Sequence, residues 1–166
     1  MADEKVSQAG GCLCGAVRYE GEDLQSLVYC HCTMCQKATG GAFALFSQCE
    51  KERFRITKGE PKWYPSSEAL ERGFCQDCGT PLFIRALASE SSNWIMPSVG
   101  SLDHPERITP ERHYGIESQL PWLEFHDGLP REAYPERFLE KPVEKAKANP
   151  DAPLSGWRAD SNGLPD

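Results

Sequence analysis

Seven of the eight cysteines in this 166-residue chain fall in three tight groups, Cys12-x-Cys14, Cys30-x-Cys32-x-x-Cys35 and Cys75-x-x-Cys78, with Cys49 alone. Thiolates this close in sequence suit a tetrahedral zinc site, because a pair on a tight turn can wrap one ion at about 2.3 Å. The run Cys75-Gln76-Asp77-Cys78-Gly79 has the form of a zinc knuckle, and its glycine can take the positive φ such a turn needs. Gly10, Gly11 and Gly15 give the backbone similar freedom around the first pair. Seven thiolates cannot all serve one tetrahedral ion, and the economical division is four plus three. Cys12, Cys14, Cys75 and Cys78 then make a closed, structural centre that pins the N-terminal segment to the middle of the chain. Cys30, Cys32 and Cys35 make a three-ligand centre whose fourth position is left to water or substrate, the arrangement of catalytic zinc. Three alternatives stay open at this level: His31 or Cys49 as a fourth ligand of the triplet, an exchange of pairs between the centres, and a disulfide framework.

The rest of the composition narrows the setting. A net charge of −7 opposes binding to nucleic acid, which needs a basic face, and gives no attraction to an anionic membrane. Residues 1–10 hold no apolar run of the kind a signal peptide carries, so the expected location is cytoplasmic, where thiols stay reduced. With 39% hydrophobic residues the chain can bury a core as one domain, while thirteen prolines and fourteen glycines favour short elements over long helices. Strands are expected at 16–20, 42–48, 53–57, 81–86 and 94–99, with turns at 58–61 and 101–105. One helical turn is expected over 33–38, stopped by Gly40. The predicted organisation is an all-β domain over 1–138 followed by a loosely structured tail over 139–166.

From residue 11 to about 131 the chain resembles the glutathione-dependent formaldehyde-activating enzyme (Gfa) family, whose eukaryotic relatives include centromere protein V. The resemblance rests on Gly11-Cys12-Leu13-Cys14-Gly15, on Cys30-His31-Cys32-Thr33-Met34-Cys35-Gln36-Lys37 and on Phe74-Cys75-Gln76-Asp77-Cys78-Gly79-Thr80-Pro81. The runs around Pro110-Glu111-Arg112-His113-Tyr114 and Pro121-Trp122-Leu123 add to it. It implies a β-tent fold of small antiparallel sheets around zinc, and two zinc ions per chain, structural at Cys12, Cys14, Cys75 and Cys78 and catalytic at Cys30, Cys32 and Cys35. It further implies a carbon–sulfur lyase that adds formaldehyde reversibly to glutathione, so the expected partner is a small thiol adduct, bound by a monomer or homodimer. Two other activities compete: carbon–sulfur chemistry on a larger glutathione conjugate, and a zinc-stabilised interaction module without chemistry.

Three thiolates outweigh the charge of one zinc ion, which blunts its Lewis acidity unless a cationic neighbour compensates. Lys37 is expected to receive a glutathione carboxylate, with His113 and Trp122 lining the pocket and His113 available as a proton carrier. A solvated Lys37, a surface His113 and a core Trp122 are the plainer expectations. Cys49 is expected to be a strand cysteine without a metal role, and His31 to point away from the metal between its two ligand neighbours. Arg18 and Arg72 are expected in surface ion pairs, with contact to an anionic substrate as the alternative.

Overall fold

The computed structural model describes residues 6–67, 69–87 and 93–134. Among them lie ten strands and one short helix, so the all-β class expected from the sequence holds. The expected tail over 139–166, and the domain boundary at 138, lie outside the described residues.

One long strand organises the molecule. Strand β2 (Arg18–Cys30) is thirteen residues long. Its first half pairs antiparallel with β1 (Val6–Gly11) and β4 (Phe54–Lys58). Its second half pairs antiparallel with β3 (Ala44–Glu50) and parallel with β9 (Pro110–Tyr114), which continues to β10 (Arg131–Glu132). Between the halves, Asp23 (φ 58°) and Ser26 (φ 50°) adopt the left-handed conformation, and the register with β3 shifts between Gln25 and Val28. Such a bulge re-aims a strand, and here it passes β2 from one sheet into the next. Strand β3 is shared in the same way. Its last two residues pair with β8 (Trp94–Pro97), which leads through β7 (Pro81–Ala86) and β6 (Leu70–Phe74) to β5 (Lys62–Pro65).

Three small sheets therefore meet along β2 and β3, and each junction carries a packed cluster. The larger one centres on Tyr19, Leu27, Leu82 and Phe83, all at most 2% exposed. Tyr19 meets Phe83 edge-on at 4.8 Å and shares a 2.7 Å hydrogen bond with Ser101, so its hydroxyl is buried with a partner. Cys12, Cys49 and Cys75 belong to this cluster. A smaller cluster holds Cys30, Cys35, Ala44, Phe46 and Ile84. The helix α1 (Thr33–Thr39) bridges β2 and β3 and ends at Gly40, φ 70°, as the sequence suggests.

The strand expected at 81–86 is β7, and those expected at 42–48 and 53–57 are displaced by one or two residues. The strand expected at 94–99 stops at Pro97, and the chain tightens into a 3-10 turn over Val99–Ser101. The strand expected at 16–20 is only the beginning of β2. Strands β1, β5, β6, β9 and β10 are not anticipated by the pattern of residues.

Candidate metal centres

The structure gathers the sulfurs into two groups. Cys12, Cys14, Cys75 and Cys78 form one, and Cys30, Cys32 and Cys35 the other, with the ligand atoms of each group within 4.8 Å of one another. Within the first, Cys12 Sγ lies 3.5 Å from Cys14 Sγ, and Cys14 Sγ lies 3.8 Å from Cys75 Sγ. Sulfurs about 2.3 Å from a shared zinc ion would lie about 3.8 Å apart, so the spacing fits that ion. It does not fit disulfides, whose sulfurs approach to about 2.05 Å. All eight cysteines are free thiols.

Two similar turns build the four-cysteine centre. After Cys12, the amide of Gly15 donates to the Cys12 carbonyl at 3.0 Å; after Cys75, the amide of Gly79 donates to the Cys75 carbonyl at 2.9 Å. Both glycines sit at φ 74° with open space where a Cβ would project, so the backbone angle rather than crowding requires glycine there. The Val17 amide donates to Cys12 Sγ at 3.2 Å, and the Leu13 amide to Thr80 Oγ1 at 3.1 Å, which ties one turn to the other. Chemically this is a group of four thiol donors at the edge of the main core, with Cys12 and Cys75 buried and Cys14 exposed.

The three-cysteine centre sits where β2 ends and α1 begins. Cys30 is the last residue of β2, Cys32 is the N-cap of α1, and Cys35 lies one turn on, facing inward. Besides one another, the sulfurs meet three polar groups. The Cys35 amide donates to Cys32 Sγ at 3.3 Å, Arg72 Nη2 donates to Cys35 Sγ at 3.5 Å, and the Tyr134 hydroxyl lies 3.6 Å from Cys30 Sγ. Among the described residues no fourth ligand atom joins these three. His31 turns its Nε2 away, to His113 Nδ1 at 2.9 Å, and Cys49 is 0% exposed in the other cluster, its thiol 3.2 Å from the Glu22 carbonyl.

Sulfurs so close compete for one negative charge. Cys32 is held far below the usual thiol range by hydrogen bonds from Cys30 and then Cys35, with the Cys35 amide and Arg72 adding to the effect. Cys30 is pushed up by Cys32, and Cys35 by Cys30 and Cys32. The four-cysteine group shows the same alternation: the Thr80 hydroxyl helps draw Cys78 down to about 6, while Cys14, against the pull of the Ala16 amide, is pushed up to about 12 by Cys12 and Cys78. A shared cation is what lets every sulfur of such a group ionise together, and the donor set, all soft sulfur, suits zinc.

Of the other expected site residues, Lys37 is exposed in the last turn of α1, and Trp122 is 69% exposed. His113 is buried in β9, where parallel pairing sets it beside Tyr29, the residue before Cys30. Its ring stacks on Tyr29 at 4.7 Å, and its Nε2 meets Asp127 Oδ2 at 2.9 Å. A chain Asp127–His113–His31 thus runs inward from the surface to the residue between Cys30 and Cys32. Both His113 nitrogens are engaged, one by His31 and the other by Asp127, and neither meets a cysteine sulfur. Arg18 pairs with Asp103, as expected of a surface arginine. Arg72, expected in a surface ion pair, instead donates to Cys35 Sγ, while Tyr134 and Asp127 are not anticipated from the sequence. Arg72 and Tyr134 reach the sulfurs, and Asp127 reaches His113, from strands and loops distant in sequence, and no local motif marks them.

The family model of the glutathione-dependent formaldehyde-activating enzyme matches residues 7–118. A curated protein of Schizosaccharomyces pombe, named as an uncharacterized lyase, is 35% identical over 75 residues, which cover 45% of this chain and 54% of that protein. The chain thus spans about half the length of this curated relative. A crystal structure of a Rhodobacter sphaeroides protein aligns with a TM-score of 0.46 at 18% identity, over 75% of this chain and 99% of that one.

Proposed function

Because the chain belongs to the glutathione-dependent formaldehyde-activating enzyme family, we propose that it is a zinc-dependent carbon–sulfur lyase that makes and breaks S-hydroxymethylglutathione at Cys30, Cys32 and Cys35. One observation carries this reading: the two sulfur groups differ in number, four donors against three. A centre of four protein ligands is complete and structural, whereas three leave a position for a reacting group. The lyase name of the yeast relative points the same way.

In the cleavage direction the carbon–sulfur bond breaks with its electron pair going to sulfur, the hydroxyl proton leaves to solvent, and the carbonyl of formaldehyde forms. Zinc bound at the triplet would supply a positive pole that keeps the departing sulfur as a thiolate at neutral pH. The chain's part is to hold three sulfurs in a fixed cradle. Cys30 is anchored by β2, Cys32 and Cys35 by the first turn of α1, and Gln36 locks that turn by donating to the His31 carbonyl at 2.7 Å and the Ser118 carbonyl at 3.0 Å.

NMR exchange spectroscopy of formaldehyde with glutathione at equilibrium tests the proposal. Zinc-loaded protein is expected to speed exchange above the uncatalysed rate, and Cys35→Ala to abolish that gain. No acceleration by protein carrying both zinc ions would overturn the formaldehyde reading and direct attention to larger glutathione conjugates.

A further inference from the structure

Arg18, Arg53, Arg55, Arg85 and Arg112 each face a carboxylate. Arg72 does not. Among the described residues its hydrogen-bond partner is the sulfur of Cys35, and its Nε–H is buried without any partner. Nε and Nη2 lie on the same edge of the planar guanidinium, the edge that elsewhere grips two acceptors side by side. One acceptor is Cys35 Sγ, and the edge has a second donor directed to the same side.

The charges make sense of this placement. Three thiolates and one zinc ion sum to −1, and such a centre repels a further anion. A guanidinium in contact with one of the sulfurs brings the sum to zero. Among the described residues no guanidinium donates to a sulfur of the four-cysteine centre: those sulfurs meet the Val17 amide and the Thr80 hydroxyl, both neutral, and nearby Arg18 is bonded to Asp103. A centre that only holds the fold gains nothing by attracting another anion, while one that accepts a substrate sulfur does.

We propose that Arg72 is the counter-charge of the three-cysteine centre, there to let it accept an anionic thiolate as its fourth partner. This rests on the reading of that centre as the reactive one, and it names Arg72 rather than Lys37 as the cation that offsets the excess of thiolates. Arg72 is thus a specificity-determining residue for the sulfur-bearing half of the substrate.

Cobalt-loaded protein provides a readout that needs no turnover, because a thiolate joining the metal adds sulfur-to-cobalt charge-transfer absorption. The probe is 2-mercaptoethanol, which has no carboxylate for Lys37 to hold, so the titration reports on sulfur alone. The four-cysteine centre contributes a constant background. Arg72→Gln is expected to weaken thiol binding about tenfold or more, and Arg72→Lys, which keeps the charge, to stay within about threefold of the parent. Thiol affinity in R72Q equal to that of the parent overturns the proposal and leaves the reactive-centre reading intact. No thiol-dependent change in the parent itself overturns both. Should R72Q fail to hold cobalt at the triplet, R72K decides: retained metal and near-parental thiol affinity support the counter-charge, and loss as complete as in R72Q overturns it.

Discussion

Cys75 and Cys35 are both buried cysteines within a sulfur cluster, yet they carry unequal weight. Cys75 is 0% exposed in the main core, and the turn it opens locks against the N-terminal turn through Thr80. A structural zinc contributes folding free energy directly, on the order of 10 kcal/mol, which rivals the whole stability of a domain. Cys75→Ala is therefore expected to abolish the cooperative thermal transition. Cys35 belongs to the smaller cluster, and its loss removes a ligand and a little packing, at roughly 1–3 kcal/mol. A Cys35→Ala protein is expected to melt cooperatively with one equivalent of zinc. Equal unfolding of the two variants by circular dichroism would show the division into structural and reactive cysteines to be wrong.

At the scale of elements, the bend in β2 decides where Cys30 ends up. Ser26 holds a left-handed conformation that costs a residue with a Cβ about 1–2 kcal/mol, and a β-branched side chain more. Ser26→Val is thus expected to lower stability by about 1–2 kcal/mol and Ser26→Gly to leave it unchanged or raised, as measured by denaturant unfolding of the zinc-loaded protein. That bend also explains what the sequence conceals. The strand expected at 16–20 stops at Glu20, whereas β2 runs on to Cys30, and a register shift between Gln25 and Val28 carries it into a second sheet. By contrast β7, with its unbroken apolar run Leu82-Phe83-Ile84, was legible because burial on both faces leaves a composition signal. Strand β9 has no such signal. Its sequence, Pro110-Glu111-Arg112-His113-Tyr114, is largely polar, and only pairing with β2 makes it a strand. For the candidate site the same contrast holds. The local sulfur pairs can be read from spacing because neighbours on a turn can share an ion, and only the fold joins Cys12 and Cys14 to Cys75 and Cys78, just as the Asp127–His113–His31 chain arises from the register of two strands some 80 residues apart.

Across the whole molecule, two centres in two packed clusters should respond differently to loss of metal. The three-cysteine centre has fewer ligands, so a competing chelator is expected to remove its zinc first, with no change in far-ultraviolet circular dichroism. The second equivalent should leave only as the domain unfolds. A chromogenic chelator followed together with dichroism would separate the phases, and a single phase in which both equivalents leave with unfolding would refute the division.

The stretch of backbone that sets Arg72 beside Cys35 also delivers Cys75, three residues later, to the other sulfur group. On the proposed reading the expected consequence is an order of assembly. Zinc in the four-cysteine group would tether the end of β6, a strand already held by β5 and β7, and so steady the guanidinium beside Cys35. A molecule short of zinc is then expected to be a folded scaffold with an unfilled second centre, rather than a loose chain with an exposed one.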